Sequence, residues 1–419
     1  MQRVWRWLLL SLVCGLTACS TAPVTPVPVA TARPQATTTT LVVWHALGGN
    51  NELALRDVLT RIANANRFTV VMQRIPITDI QHEVQVAFAQ ARGPHLVILS
   101  NAQLQTLASD DCCLAIDSLL DVATRDALDK TLLATAQYTP PNAATQIIGL
   151  PISYAIPVLY YNMRSVISPP STSDDLISLA HNLHNPPQWG LGADLTIDTM
   201  YGYLAAFGGA VVNDQGQVVL ADTGRAGNEA WLSWLGSLNN DPLLMTRLNA
   251  VFTIEQIVGA GQLAMVIDSS ANHQTYEQLW GSATGITTLP VLSITNQSAR
   301  PLMQSTVVAV NKHLSLPELV ATRTLLNALI TPTYQAMLRD YGMQPANRLL
   351  SLSDFPLALA IQTASADAVA PPRALTRDDV YATLTTMLNQ VVFGTQTPAD
   401  AVTATDAQLR LLLEGTTTP

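Results

Sequence analysis

Leu41-Val42-Val43-Trp44-His45 is a short apolar run, and Ala46-Leu47-Gly48-Gly49 behind it has the composition of a turn. Past the turn, Leu53, Leu55, Val58, Leu59 and Ile62 recur at helical spacing. That pattern predicts a helix capped by Asn50 or Asn51 and running to about Asn64. Phe68–Ile75 reads as a second strand. A second helix runs from a cap at Thr78 or Asp79 to Ala91, Gly93-Pro94 stops it, and Leu96-Val97-Ile98-Leu99 is a buried strand. Strands alternating with helices predict an α/β protein with a mostly parallel sheet.

Working towards the C-terminus, Ile147–Asn162 is rich in apolar and Tyr residues and broken by Pro151 and Pro157. Helices are predicted over Ser173–Leu183, Thr196–Phe207, Gly224–Leu238 and Thr253–Ala260, followed by a buried strand at Leu263–Ile267. Gly285–Val291 and Thr306–Val310 read as strands. Pro317–Leu329, Pro332–Tyr341, Arg377–Val392 and Pro398–Leu413 read as helices. No repeat of fixed period is present.

Working towards the N-terminus, the chain opens with Arg3 and Arg6, an apolar run Leu8–Val13 and the small-residue ending Leu16-Thr17-Ala18-Cys19. Charge, then an apolar core, then small residues is the layout of a secretory signal peptide. The apolar run falls short of the roughly 20 residues a membrane span needs. The ending resembles the lipobox of bacterial lipoproteins, which implies cleavage before Cys19 and lipid on its thiol. Ser20–Thr40 is almost entirely Ala, Thr, Pro and Val with the single charge Arg33. It cannot bury enough apolar surface to fold, and its prolines favour an extended tether of about 3 Å per residue. Residues 1–19 are thus expected to be the signal segment and 20–40 a disordered tether.

The 419-residue chain leaves room for two ordinary domains behind that tether. Net charge is −9 with only 12 % charged residues, and no basic stripe is present, which argues against nucleic acid. With Cys14 in the signal segment and Cys19 lipidated, Cys112 and Cys113 remain. They are either buried thiols or a strained vicinal disulfide. Gly-x-Ser-x-Gly, His-Glu-x-x-His, Gly-x-x-x-x-Gly-Lys and Cys-x-x-Cys are all absent. His181-x-x-His184 has chelating spacing but runs into Asn185-Pro186-Pro187, a surface loop. No cofactor and no metal are expected.

Six segments in collinear order resemble one family. They are Val42-Val43-Trp44-His45-Ala46; Pro94-His95-Leu96-Val97-Ile98-Leu99, with His95 where an Asp is usual; and Gly149-Leu150-Pro151 with Leu159-Tyr160-Tyr161-Asn162, the most distinctive. Phe207-Gly208-Gly209 before Asn213–Val218, Gly261-Gln262-Leu263-Ala264-Met265 and Gly342–Arg348 complete the set. Over residues 41–350 the chain resembles the extracellular solute-binding proteins of ABC importers, in the group that includes maltose-binding proteins. The resemblance implies a two-lobed periplasmic-binding-protein-like fold (type 2) with several hinge crossovers and a ligand cleft between the lobes. It places lobe one at 41–149 plus 286–345 and lobe two at 150–285 plus 346–415. It implies a monomer that captures a small solute by hinge closure, delivers it to an ABC permease, and sits outside the cell membrane on the Cys19 lipid.

Sugar recognition needs flat aromatic faces and planar polar groups. Trp44 and His45 follow the first strand, Ser100 and Asn101 the third, and Asp268 the Leu263–Ile267 strand. Tyr154 lies in the middle segment, Gly208 and Gly209 allow close backbone approach, and Arg348 follows a Pro. These nine are the expected ligand-binding residues. Asp268-Ser269-Ser270 stands where many relatives carry an aromatic, and aromatics are 5 % of the chain, which points away from a large oligosaccharide. A mono- or oligosaccharide is the expected solute. A polyamine, peptide or organic anion, or an envelope-anchored sensor, are the competing readings.

Overall fold

The computed structural model describes residues 38–140, 142–246 and 254–415. The signal segment, Cys19 and the tether through Thr37 lie outside the described residues. Two five-stranded sheets organise the chain. The first runs Thr69–Arg74, Thr40–His45, Leu96–Ser100, Gln304–Val310, Gly149–Ala155 in spatial order. The second runs Thr284–Thr287, Pro157–Asn162, Leu263–Ser269, Trp189–Ala193, Met245–Thr246. Each sheet is the centre of one lobe.

Both sheets are mixed, which corrects the expectation of a mostly parallel sheet. Gln304–Val310 runs antiparallel to both its neighbours, and so does Pro157–Asn162. The remaining ladders are parallel. The reason is topological. A strand reached through a helical crossover within one lobe enters parallel. These two strands are where the chain enters each lobe from the other, so they run against the rest.

Alternation builds the first lobe's two faces. Leu41, Val43, Leu96, Ile98, Val308 and Val310 point to one side and pack with the helices Gly49–Asn66 and Leu316–Ile330. Val97, Leu99, Val307 and Ala309 point to the other, against Ile80–Ala89 and Asn101–Ser109. Successive strand residues face opposite sides, so this sheet is covered on both. In the second lobe, Ser173–Leu183, Ile197–Ala206, Arg225–Asn240, Asp378–Val392 and Pro398–Leu413 enclose a separate core around Met200, Trp231, Leu232 and Leu388. Most of these helices start on a side-chain cap: Thr172 accepts from Asp175 N, Thr196 from Thr199 N and Thr397 from Asp400 N. The first helix departs from expectation. It begins at Gly49 with Gly48 as an uncapped N-cap, and the Asn50 amide donates instead to Gln274 of the other lobe at 3.1 Å.

Three segments pass between the sheets. Ile156 alone separates Gly149–Ala155 from Pro157–Asn162, so by sheet membership the chain leaves the first sheet at Ala155, beyond the expected end at 149. It leaves the second after Thr287 rather than at 285. Ile156 N donates to Ser270 Oγ (3.0 Å), and Ser270 N donates back to the Ile156 carbonyl (2.7 Å). The second and third crossings run side by side, with Met303 N bonded to Val369 O and Val369 N to Pro301 O. Gly202 makes room for this pair: a Cβ there would meet Pro301 N at 2.9 Å. Cys112 and Cys113 are free thiols, and loss of hydration pushes the Cys113 thiol up to about 12.

Candidate functional site

The strands Thr40–His45, Leu96–Ser100, Trp189–Ala193 and Leu263–Ser269 all end toward the opposite lobe, since Ser100 pairs beside Thr306 and Ser269 beside Pro157 at the crossovers. Loops beyond the carboxyl ends of such strands are where α/β sheets take ligands. A cavity of about 280 Å³ sits there. Ser100, Asn101 and Ala102 line it from the first lobe; Ile197, Asp198, Leu375, Thr376, Asp378 and Tyr381 line it from the second; Leu302 and Gln304 belong to a crossing segment.

Each polar group is held from below. Ser100 caps the helix Asn101–Ser109 through a capping box with Gln103. Asn101 is 3 % exposed, and its Oδ1 accepts from Ser305 N at 3.1 Å. This fixes the amide plane at the cavity wall. Asp198 lies in the first turn of Ile197–Ala206 and accepts from Tyr381 OH at 2.9 Å and from the Gln304 amide. Burial raises the Asp198 carboxyl above its ordinary range, and those two hydrogen bonds oppose the shift. Burial and the neighbouring Asp198 and Asp194 carboxylates raise the Tyr381 phenol, which therefore stays a donor. The wall thus combines two amides, two carboxylates, hydroxyls and one aromatic ring with apolar side chains.

Of the nine predicted residues, Ser100 and Asn101 line this cavity. The others are placed elsewhere. Trp44 is half-buried on the outer face of the first sheet, with Nε1 donating to Gln73 at 3.1 Å. His45 is enclosed in the first lobe, with no side-chain hydrogen-bond partner for its ring. Tyr154 OH meets Ser365 Oγ (3.4 Å) and accepts from Gln344 Nε2 (3.3 Å), at the third crossing. Gly208 has φ +79°, and Gly209 packs so tightly on Asn228 that a Cβ on it would lie 3.0 Å from Asn228 N. Asp268 accepts from Ser269 N (2.7 Å), Asn272 Nδ2 (2.8 Å) and Tyr276 OH (2.8 Å), all within its own lobe. Arg348 is exposed, and its Nε donates to Asp126 O at 3.0 Å.

The sequence reading missed Asp198, Gln304, Asp378 and Tyr381. Asp198 was hidden because its strand, Trp189–Ala193, was not identified: Gly190 and Gly192 break the apolar pattern. Gly190 is there because a Cβ would collide with the Ala180 carbonyl of the covering helix. Tyr381 looked like one more residue of a long helix. A second cavity of about 450 Å³ shares Thr376 and Asp378 with the first and continues past Gln105, Arg373 and Arg377. Arg373 bridges the lobes, with its guanidinium 4.2 Å over the Tyr138 ring and Nη1 on Thr139 O at 3.4 Å. A shallow hollow of about 650 Å³ flanks the third crossing, at Lys130, Arg300 and Asp367. Among the described residues, no three His, Cys, Asp or Glu side chains converge as metal ligands.

Two α/β lobes, three crossings and a polar cavity between strand ends are the layout of a protein that binds a small molecule between its lobes. The model of the bacterial extracellular solute-binding protein family matches residues 58–358, and the chain belongs to that family. It is a solute-binding protein of an ABC importer, works outside the cytoplasm and is not an enzyme. Among solved structures it is similar to a Thermus thermophilus maltotriose binding protein bound with maltotriose, at TM-score 0.73 and 16 % identity, covering 89 % of this chain and 99 % of that one. At that identity the likeness concerns the fold. No curated protein matches the chain.

Proposed function

We propose that this protein is a lipid-anchored receptor that captures a mono- or short oligosaccharide in the interlobe cavity and delivers it to its permease by hinge closure. The observation that carries this is the wall formed by Asn101, Asp198, Gln304, Thr376 and Tyr381 around about 280 Å³. Planar amide and carboxylate groups pair with vicinal hydroxyls, and Tyr381 offers a ring face. The volume lies near the lower end for small-molecule sites, which favours one or two rings over a long chain. A ligand touching Asn101 from one lobe and Asp198 from the other binds the closed form better, and so shifts the hinge equilibrium. Cys19 carries the lipid, and residues 20–40 hold the lobes away from the membrane. The binding set is Ser100 and Asn101 with Asp198, Gln304, Thr376 and Tyr381.

A second reading, a cationic non-sugar solute such as a polyamine, is favoured by Asp198 and Asp378, which face the cavity with no Lys, Arg or His in its lining. A thermal-shift screen of sugars, polyamines, amino acids and organic anions separates the two. A solute at a hundred times its Kd adds about 2.7 kcal/mol to folding stability. A sugar hit lost in Asn101→Ala and Tyr381→Ala supports the first reading. A polyamine hit with every sugar silent sinks it.

A further inference from the structure

We infer that the solute is an amino sugar, a ring bearing hydroxyls and one protonated amine. This rests on the carbohydrate reading of the same cavity and narrows it. Two carboxylates, Asp198 and Asp378, line the cavity, and no cationic side chain does. The cations nearest along the same wall are committed. Arg377 pairs with both Asp379 oxygens, at 2.6 and 3.1 Å, and with Leu412 O. Arg373 is spent on the Tyr138 ring and Thr139 O in the other lobe.

The Asp198 partners named above, Tyr381 OH and the Gln304 amide, are neutral donors. A carboxylate has about four acceptor positions, so two donors leave room for a ligand. A partly buried charge served by neutral groups alone is costly, and an arriving ammonium offsets that cost. Burial already raises the Asp198 carboxyl, which is the expected mark of a charge short of a counterion. Anionic solutes meet like charge on entry. A linear diamine would satisfy the carboxylates but offer no hydroxyls to Asn101, Gln304 and Thr376. One ring with hydroxyls and an amine satisfies both sets.

The test is calorimetric titration of the intact protein with glucosamine, galactosamine and mannosamine, each beside its parent hexose and its N-acetyl form, and with putrescine. The expected result is that one hexosamine binds at least about tenfold tighter than its parent and its N-acetyl form. Asp198→Asn should then bring the hexosamine-to-parent affinity ratio down toward one, whatever it does to sugar affinity as a whole. Asp378→Asn, at an exposed position, should lower it several-fold and keeps the test alive if the first variant misfolds. A parent hexose binding as well as its amine overturns the inference and leaves the carbohydrate reading standing. Binding of putrescine with no sugar bound, or of nothing in the panel, overturns both.

Discussion

His45 closes the first strand with its imidazole fully enclosed. Burial depresses its pKa from the ordinary 6.5; Glu52 nearby and the Leu47 backbone oppose this more weakly, while Arg56 and Arg74 add to it. Folded, the ring stays neutral to lower pH than it does in the unfolded chain. The unfolded state therefore takes up the extra proton as pH falls through that ordinary value. The associated stability is complete above it and lost below. His45→Leu should flatten the acid side of the stability profile, and urea denaturation at neutral and mildly acidic pH would show it; an unchanged slope would sink the idea. Asp268 presents the opposite case, a buried carboxylate satisfied by three donors. Asp268→Ala removes all three of these hydrogen bonds and should cost about 1–3 kcal/mol in the same assay. Affinity for the solute, per folded molecule, should stay unchanged, and a binding loss without destabilisation would return Asp268 to the ligand set.

At the scale of elements, long periodic segments were readable directly. Ser173–Leu183 and Pro398–Leu413 begin and end where capping and periodicity placed them. Less readable were elements whose shape is set by a neighbour. Trp189–Ala193 has two glycines because a helix lies against it, and composition cannot see that helix. Asn101–Ser109 was passed over because its capping box follows a strand without a break. The direction of the two entry strands was also hidden, since local pattern carries no information on which lobe a strand came from. Ser100 and Asn101, which line the cavity, are legible because they end a legible strand; Asp198 is not, because the strand before its helix is illegible. In the segment Arg373–Thr376, the Arg373 guanidinium reaches across to the Tyr138 ring of the first lobe. Such a contact is worth about 0.5–1 kcal/mol at an exposed site. Arg373→Ala should shift the unliganded protein toward the open form by about two- to fivefold, read as a longer interlobe distance by paired fluorescent labels. No change in that distance would show that the strap merely rests there.

For the whole molecule, anchoring and capture are separable. The lobes span the described residues from Thr38 onward, whereas the proposed lipid sits on Cys19. Cys19→Ser should leave solute affinity untouched and move the protein from the membrane fraction to the medium or periplasm, which fractionation followed by mass spectrometry of the N-terminus would establish. Retention on the membrane in that variant would refute the lipobox.

The reversed strands also govern the order in which the molecule is completed. Thr40–His45, Thr69–Arg74 and Leu96–Ser100 emerge early, yet the strand that joins them to Gly149–Ala155 is Gln304–Val310. The first lobe to be started therefore stays incomplete until more than two thirds of the chain has been made. Until its late strand arrives, its sheet has an open edge, and closing so long a loop slows folding. For a chain bound for the outside of the cell, a body that stays unfinished until most of it has been made is a body that can still be threaded through a membrane.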